Sequence, residues 1–388
     1  MQILFLITMP FNPNNSGVQR TTFKLGKYFT ENGHLVRYYS TAFENQKVPQ
    51  YGELYHSKEA GGTANKNNIA ELQSIILTIQ PDIIINQMPY DKDLRKALYL
   101  IKKEMSVPLL ACLRNSLFSF KSNVAYKLKL KLPSFLFLIL NNPVVRRFVL
   151  MKHKRMHTAQ LKDILDLHDK FILLAPPNFE ELKYFVGNYK SEKITYIPNS
   201  IPEVYPSYIE KKEKIILHVG SLNDQQKRAD ILLPFWKEVY RDLPEWKFII
   251  LGEGKEKQKI EQEIKEKDIP RIFLEGHKAS EPYYAKASIF MMPSAYEGFP
   301  NTILEAQSHG CPVLAFNSYL ALDWIVSDRK DAMLSPPFNL KDMAENAITM
   351  ANDGETLNSM QYAALQNAQR FTIDKVGRQW IKFFNEIT

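Results

Sequence analysis

The stretch Ser294–Gly310, SAYEGFPNTILEAQSHG, decides the fold of this chain. An apolar run before it, Ser288–Pro293, reads as a buried strand, and a second run, Cys311–Phe316, follows it. Between them a loop carrying Glu297, Gly298 and Pro300 leads into a helix. Its Ile303, Leu304 and Ala306 suit packing on a sheet, and Gly310 is its natural stop. Strand, loop, helix and strand in this order put the loop at the carboxyl end of the first strand, where open parallel sheets place ligands.

The local chemistry agrees with that placement. Pro300 at the first helical position costs nothing, because its missing amide would be unpaired anyway, and the amides of Gly298, Phe299, Asn301 and Thr302 gather at a helix N-terminus that favours an anion. Glu297 and Glu305 flank the same turn. A carboxylate beside a phosphate is repelled unless it faces something else, such as sugar hydroxyls, and hydroxyls plus phosphate describe a sugar nucleotide. The same two acids would equally serve to complement the positive end of the helix dipole.

Glu297, seven intervening residues and Glu305, within EGFPNTILE and followed by AQSHGCPVLA, resemble the signature of retaining glycosyltransferases of the GT-B fold, family 4. Gly298, Phe299, Pro300 and the Gly310–Pro312 turn stand where that family has them. The resemblance implies an α/β chain of two Rossmann-like domains facing across a cleft, a nucleotide-sugar donor, and a terminal helix that crosses back to the first domain.

With 388 residues, 45% of them hydrophobic, the chain is long enough for two cores. Cys112 and Cys311 lie in apolar runs and give neither a disulfide framework nor a metal cluster, which suits a reducing cytosol. Met1–Met9 lacks the basic region and cleavage site of a signal peptide, so Gln2–Ile7 is expected as the first strand. No apolar run approaches the roughly eighteen residues that cross a bilayer.

The formal net charge of +8 is local. From Met105 to Lys162 there is no acid and there are eleven Lys and Arg, so the rest of the chain is net acidic. Within this patch YKLKLKL, Tyr126–Leu132, alternates at the period of a strand, and residues 134–158 mix Phe, Leu and Val with Arg and Lys. A basic amphipathic segment over about 121–158 fits an anionic membrane surface, and it fits equally an ordinary helical insertion with a solvated face. Nucleic acid is disfavoured, because no binding motif accompanies the patch. The expected location is the cytoplasm, peripheral on the inner face of the membrane if the segment binds lipid.

In chain order, strand Gln2–Ile7, a loop with Ser16 and Gly17 at a helix start, and strand His34–Tyr39 open the first domain. The loop lacks the three spaced glycines of a dinucleotide site; in the resembled family it faces donor phosphates and acceptor. Residues 43–68 are polar and weakly patterned, a surface excursion. Asp91-Lys92-Asp93 reads as a helix cap and not a metal site. Strands at Asp82–Asn86, Pro108–Leu113, Lys170–Ala175 and Lys193–Ile197 continue a parallel sheet. Arg114, Asn115 and Ser116 follow one of them, where many members of the family have a histidine against the donor sugar; this chain has none there.

The boundaries expected are a first domain 1–200 with a basic insertion at about 117–160, a linker 201–213, a nucleotide-sugar domain 214–370, and a crossover helix 371–388. In the second domain the family commonly has an arginine after the glycine of the first loop, and a lysine a few residues later, on the pyrophosphate. Here Ser221 stands at the first place, with Lys227 and Arg228 at the later one. The resemblance therefore gives Glu297, Lys227 and Arg228 the catalytic charges, Glu305 the ribose, and Ser16, Gly17, Gly298, Phe299, Pro300, Asn301 and Thr302 substrate contacts, with no metal and no cofactor; Arg114 and Asn115 join the substrate contacts from their place at the carboxyl end of a strand, where Arg114 suits negative charge and Asn115 a hydroxyl. The expected function is transfer of a sugar, with retention, to a hydroxyl of a glycan or lipid-linked acceptor in cell-surface polysaccharide or glycolipid synthesis. An enzyme that isomerises or phosphorolyses a sugar nucleotide, and a two-domain sugar-binding protein without chemistry, stay open beside it.

Overall fold

The computed structural model describes residues 1–388 apart from 14–15, 43–44, 60–64, 105, 126–127, 129–132, 134–135, 138–139 and 224–225. It divides into two compact units. Met1–Asn115, Arg147–Pro202 and Ile373–Thr388 form the first; Ser116–Arg146 and Glu203–Thr372 form the second.

The first unit is built on a seven-stranded sheet of β1 (Gln2–Ile7), β2 (Leu35–Ser40), β3 (Glu53–His56), β4 (Ile83–Asn86), β5 (Leu109–Cys112), β6 (Lys170–Leu173) and β7 (Ile194–Tyr196), in the order 3-2-1-4-5-6-7. Every neighbouring pair is parallel. Side chains alternate across a strand, so Ile3, Phe5 and Ile7 enter one core and Leu4 and Leu6 another. Both faces are therefore covered, which is why β1 is apolar from Ile3 to Ile7.

β3 lies in the stretch expected as a surface excursion. It is an edge strand, in register with β2 through Arg37 and Glu53, whose side chains pair at 2.9 Å. One open edge and a polar partner remove the apolar signature by which buried strands are recognised. Asp91 caps helix Lys92–Lys102 by accepting from the Leu94 amide at 2.7 Å, as the cap reading requires. The expected strand Tyr126–Leu132 falls almost wholly outside the described residues; beyond it, Pro143–Leu167 is one 25-residue helix. Among the described residues no helix is long and apolar enough to cross a membrane.

Helix Ile373–Ile387 closes the first core. Val376, Trp380, Phe383 and Phe384 are buried on one face, and Phe384 lies 5.4 Å from Phe29 of helix Gly17–Glu31, centroid to centroid. Gly377 allows the two helices to approach, since a Cβ there would stand 2.1 Å from Cε1 of Tyr28.

The second unit has a six-stranded parallel sheet of β8 (Glu213–Val219), β9 (Lys247–Leu251), β10 (Ile272–Gly276), β11 (Ala287–Met292), β12 (Val313–Phe316) and β13 (Ala332–Ser335), in the order 10-9-8-11-12-13. The order reverses between β8 and β11, which makes their carboxyl ends the switch point of the sheet. Helices Leu340–Asn352 and Gly354–Ala368 cover it, each capped by its preceding residue, Asn339 and Asp353. The second of these helices was not expected from sequence.

Gly377→Val should destabilise the protein by about 1–3 kcal/mol, because the aromatic ring it meets is packed and cannot withdraw. Thermal unfolding reads this as a lowered midpoint; an unchanged midpoint would contradict the close approach.

Candidate functional site

Two loops meet at the switch point of the second sheet. The first follows β8 and carries Gln226, Lys227 and Arg228; the second follows β11 and carries Ser294–Pro300. A backbone bond from the Ala295 amide to the Gln226 carbonyl, 2.8 Å, ties them together. Across this tie Lys227 Nζ donates to Glu297 Oε1 at 2.7 Å and Gln226 Nε2 donates to Oε2 at 2.9 Å. The Glu297 side chain is 8% exposed and that of Lys227 21%, so the carboxylate lies in a place with little water, and two donors hold both of its oxygens.

The surroundings of the pair are neutral. Burial, and next to it the charge of Glu297, raise the Tyr319 hydroxyl well above its ordinary pKa. The same two causes raise Tyr296. His218, fully buried on β8, donates from Nδ1 to the Met291 carbonyl at 3.1 Å, and burial pushes its pKa down to about 4. Its Nε2, the Tyr319 hydroxyl and the Ser294 hydroxyl are buried without a hydrogen-bond partner.

The loops are set by backbone contact. Gly252, at φ +149, lies so near the Gly220 carbonyl that a Cβ would meet its oxygen at 1.8 Å, and Leu222 N donates to the Glu253 carbonyl at 2.9 Å. Only glycine allows both that dihedral and that approach.

Not all expected residues gather here. Arg228, in the left-handed region at φ +52, gives its guanidinium to Asp230 in a two-bond fork, 2.9 Å each, and lies over the Phe338 ring at 4.7 Å. Pro300 is the N-cap of helix Asn301–Ser308 and not its first residue, and no side chain caps that helix. Phe299 is buried against Trp324 and Phe371. Gly298 and Glu305 are half-buried, as are Asn301 and Thr302. In the first unit, Ser16 caps helix Gly17–Glu31 by accepting from the Gln19 amide, Arg114 bonds Gln87 and Asn199, and Asn115 is exposed.

Gln226 and His218 were missed from sequence. A histidine inside the otherwise apolar run Ile215–Val219 of β8 was the available signal for one; for Gln226 the only signal was its place beside Lys227. Among the described residues no group of three or more His, Cys, Asp or Glu is placed to hold a metal ion.

Residues 213–353, which carry the Lys227–Glu297 pair and both of its loops, match the family model described as glycosyl transferases group 1. Over these residues the chain resembles glycosyl transferases group 1. The chain is 26% identical over 215 residues to an uncharacterized glycosyltransferase of Haemophilus influenzae, covering 55% of this chain and 60% of that one. It is 30% identical over 168 residues to the amylovoran biosynthesis glycosyltransferase AmsD of Erwinia amylovora, covering 42% and 45%. The chain thus spans about half the length of these curated relatives. A crystal structure of Anabaena HepE in complex with UDP and glucose superposes over 100% of both chains with a TM-score of 0.72 at 17% identity. That likeness shows the fold: two Rossmann-like domains of the GT-B type, with the residues matched by the family model in the second.

Removing one member of the Lys227–Glu297 pair should cost more than removing both. Lys227→Met leaves the Glu297 carboxylate with Gln226 alone and is expected to lower the urea midpoint further than Lys227→Met with Glu297→Gln. The coupling expected from this double-mutant cycle is about 1–3 kcal/mol.

Proposed function

We propose that the protein transfers a sugar, with retention, from a nucleoside diphosphate sugar to a hydroxyl of a glycan or lipid-linked acceptor in cell-surface polysaccharide or glycolipid synthesis. One observation carries this reading: a lysine and a glutamate paired beside a helix N-terminus, at the switch point of a domain that resembles glycosyl transferases group 1.

In this reading the donor diphosphate takes Lys227 over from Glu297. Lys227 Nζ then neutralises the leaving group, and the amides that open helix Asn301–Ser308 donate to its oxygens. The displaced Glu297 is free to accept from donor sugar hydroxyls, while Glu305, one turn into the helix, accepts from the ribose. Arg228 is held by Asp230, which leaves Lys227 the principal counter-charge. The bond between the anomeric carbon and the phosphate oxygen breaks, the acceptor oxygen bonds to that carbon on the same face, and its proton passes to the departing phosphate. Positive side chains and amide dipoles supply the charge stabilisation of this step. Ser16, Gly17 and Asn115 are assigned to substrate binding in the first unit.

Lys227→Ala and Glu305→Ala are expected to lower transfer at least about a hundredfold while the fold survives, as loss of charge stabilisation at a leaving group does. A panel of nucleotide sugars, read by mass spectrometry with and without acceptor, is the test. Full activity in either variant would refute these roles, and a product formed without acceptor would favour isomerisation or phosphorolysis.

Helix Pro143–Leu167 supports the anionic membrane as a partner. Val144, Arg147, Phe148, Met151, Lys152, Arg155 and Met156 are exposed at helical spacing, apolar and basic with no acid among them. Apolar side chains and basic heads on one stripe suit a lipid interface, where each basic group adds on the order of 1 kcal/mol. Liposomes with anionic lipid should sediment the protein, less so in high salt and less so for Phe148→Asp. Equal sedimentation with neutral lipid would count against the assignment.

A further inference from the structure

The first unit holds a guanidinium that its own residues leave uncompensated. Arg114 follows β5; its Nε donates to Gln87 Oε1 at 2.8 Å and its Nη1 to Asn199 Oδ1 at 2.9 Å. Both acceptors are neutral amides. Gln87 follows β4 and Asn199 follows β7, so three carboxyl ends of one parallel sheet converge on a single charged group. The third nitrogen, Nη2, is buried with no acceptor, Gln87 Nε2 is buried without a partner on the amide that holds Nε, and Ser200 Oγ, next in the chain to Asn199, is buried without a partner as well. Gln87 is 1% exposed and Ser200 2%, so water does not answer for these groups by open contact. Lys24 brings a second positive charge, with its Nζ 3.5 Å from the Ser200 carbonyl.

Among the described residues no carboxylate bonds Arg114. The Cys112 thiol beside it does not serve as a counter-ion, since burial pushes its pKa up to about 11, well above neutral pH. Arg114 is half-buried with Nη2 out of water, and a cation placed so among neutral partners only is costly. An arginine needed only to cross-link β4, β5 and β7 would have no use for a further pair of orphan donors. The unmet Nη2 and the Gln87 amide nitrogen are donors suited to the oxygens of one anion, and the Ser200 hydroxyl next to Asn199 offers a third.

We propose that Arg114, Gln87 and Ser200 form an oxyanion site that takes a carboxylate or phosphate group carried by a substrate. The guanidinium is held by Gln87 and Asn199 before the anion arrives, so little side-chain freedom is lost on binding. The site selects for an acidic sugar or a phosphorylated acceptor over its neutral counterpart. That these anions belong to transfer substrates rests on the glycosyl-transfer reading; the binding itself does not.

Thermal shift and calorimetry on the full chain test it, with sodium glucuronate against glucose and glycerol 3-phosphate against glycerol, at matched ionic strength in sodium chloride. At least one anion should raise the midpoint where its neutral partner does not, and which one responds tells carboxylate from phosphate. Arg114→Gln should weaken that binding roughly tenfold or more, as loss of a charge-assisted fork does. Arg114→Lys should recover only part of it. Ser200→Ala, a milder change, should weaken it severalfold. Lys227→Ala should leave it in place. The proposal falls if neither anion outperforms its neutral partner, if Arg114→Gln responds like the unaltered protein, or if the response disappears with Lys227 instead. Intact anion binding without transfer from any nucleotide sugar would overturn the transfer reading and leave this site standing.

Discussion

A lysine ammonium 2.7 Å from a nearly buried carboxylate, at the point where strand order reverses, is the interaction on which the second unit turns. The reversal sends the connections after β8 and β11 to opposite sides of the sheet, and the space so opened would fill with water or side chains. Lys227 and Glu297 fill it with two charges that cancel. Each holds the other ready, and neither needs a bound ligand to be stable there. An anion that enters must compete with Glu297 for the lysine, so its binding is an exchange of partners and not the simple occupation of a vacant cation.

The glycines around this pair matter for the same reason. Charges separated by a few ångströms interact usefully only when the loops that carry them are fixed, and the Gly220 and Gly252 backbones are pressed together too closely for any side chain between them. The loop after β8 is thereby braced from β9 while the loop after β11 is bonded to it through Gln226. Rigid placement comes from main-chain contact here, and the side chains supply charge.

Much of the fold was legible because its strands are buried on both faces. Ile3 to Ile7, Ile215 to Val219 and Ile289 to Met292 are apolar runs bounded by turns, and a parallel sheet follows from such runs alternating with helices. β3 was illegible because an edge strand faces solvent and needs no such run. Helix Pro143–Leu167 was obscured because its exposed stripe mixes Phe148 and Met151 with Arg147 and Lys152, which blurs the period of a buried face. At the site, Glu297 and Lys227 were legible from a motif, yet their bond to each other was not, since nothing in local spacing reports a contact across seventy residues. Arg228 shows the converse: adjacent in sequence to Lys227, it turns away through a left-handed dihedral to meet Asp230.

The return of helix Ile373–Ile387 to the first core has a consequence for synthesis. Helix Gly17–Glu31 and β1 are made before the second unit, but the aromatic surface of Phe29 and Tyr28 stays uncovered until Trp380 and Phe384 have been made. Most of the second unit lies in the unbroken stretch Glu203–Thr372 and leaves the ribosome before that helix does. Domains usually mature in the order in which they are translated. In this chain the first unit is begun before the second and finished after it, and its half-built core must be kept from sticking to other chains while the second unit is made.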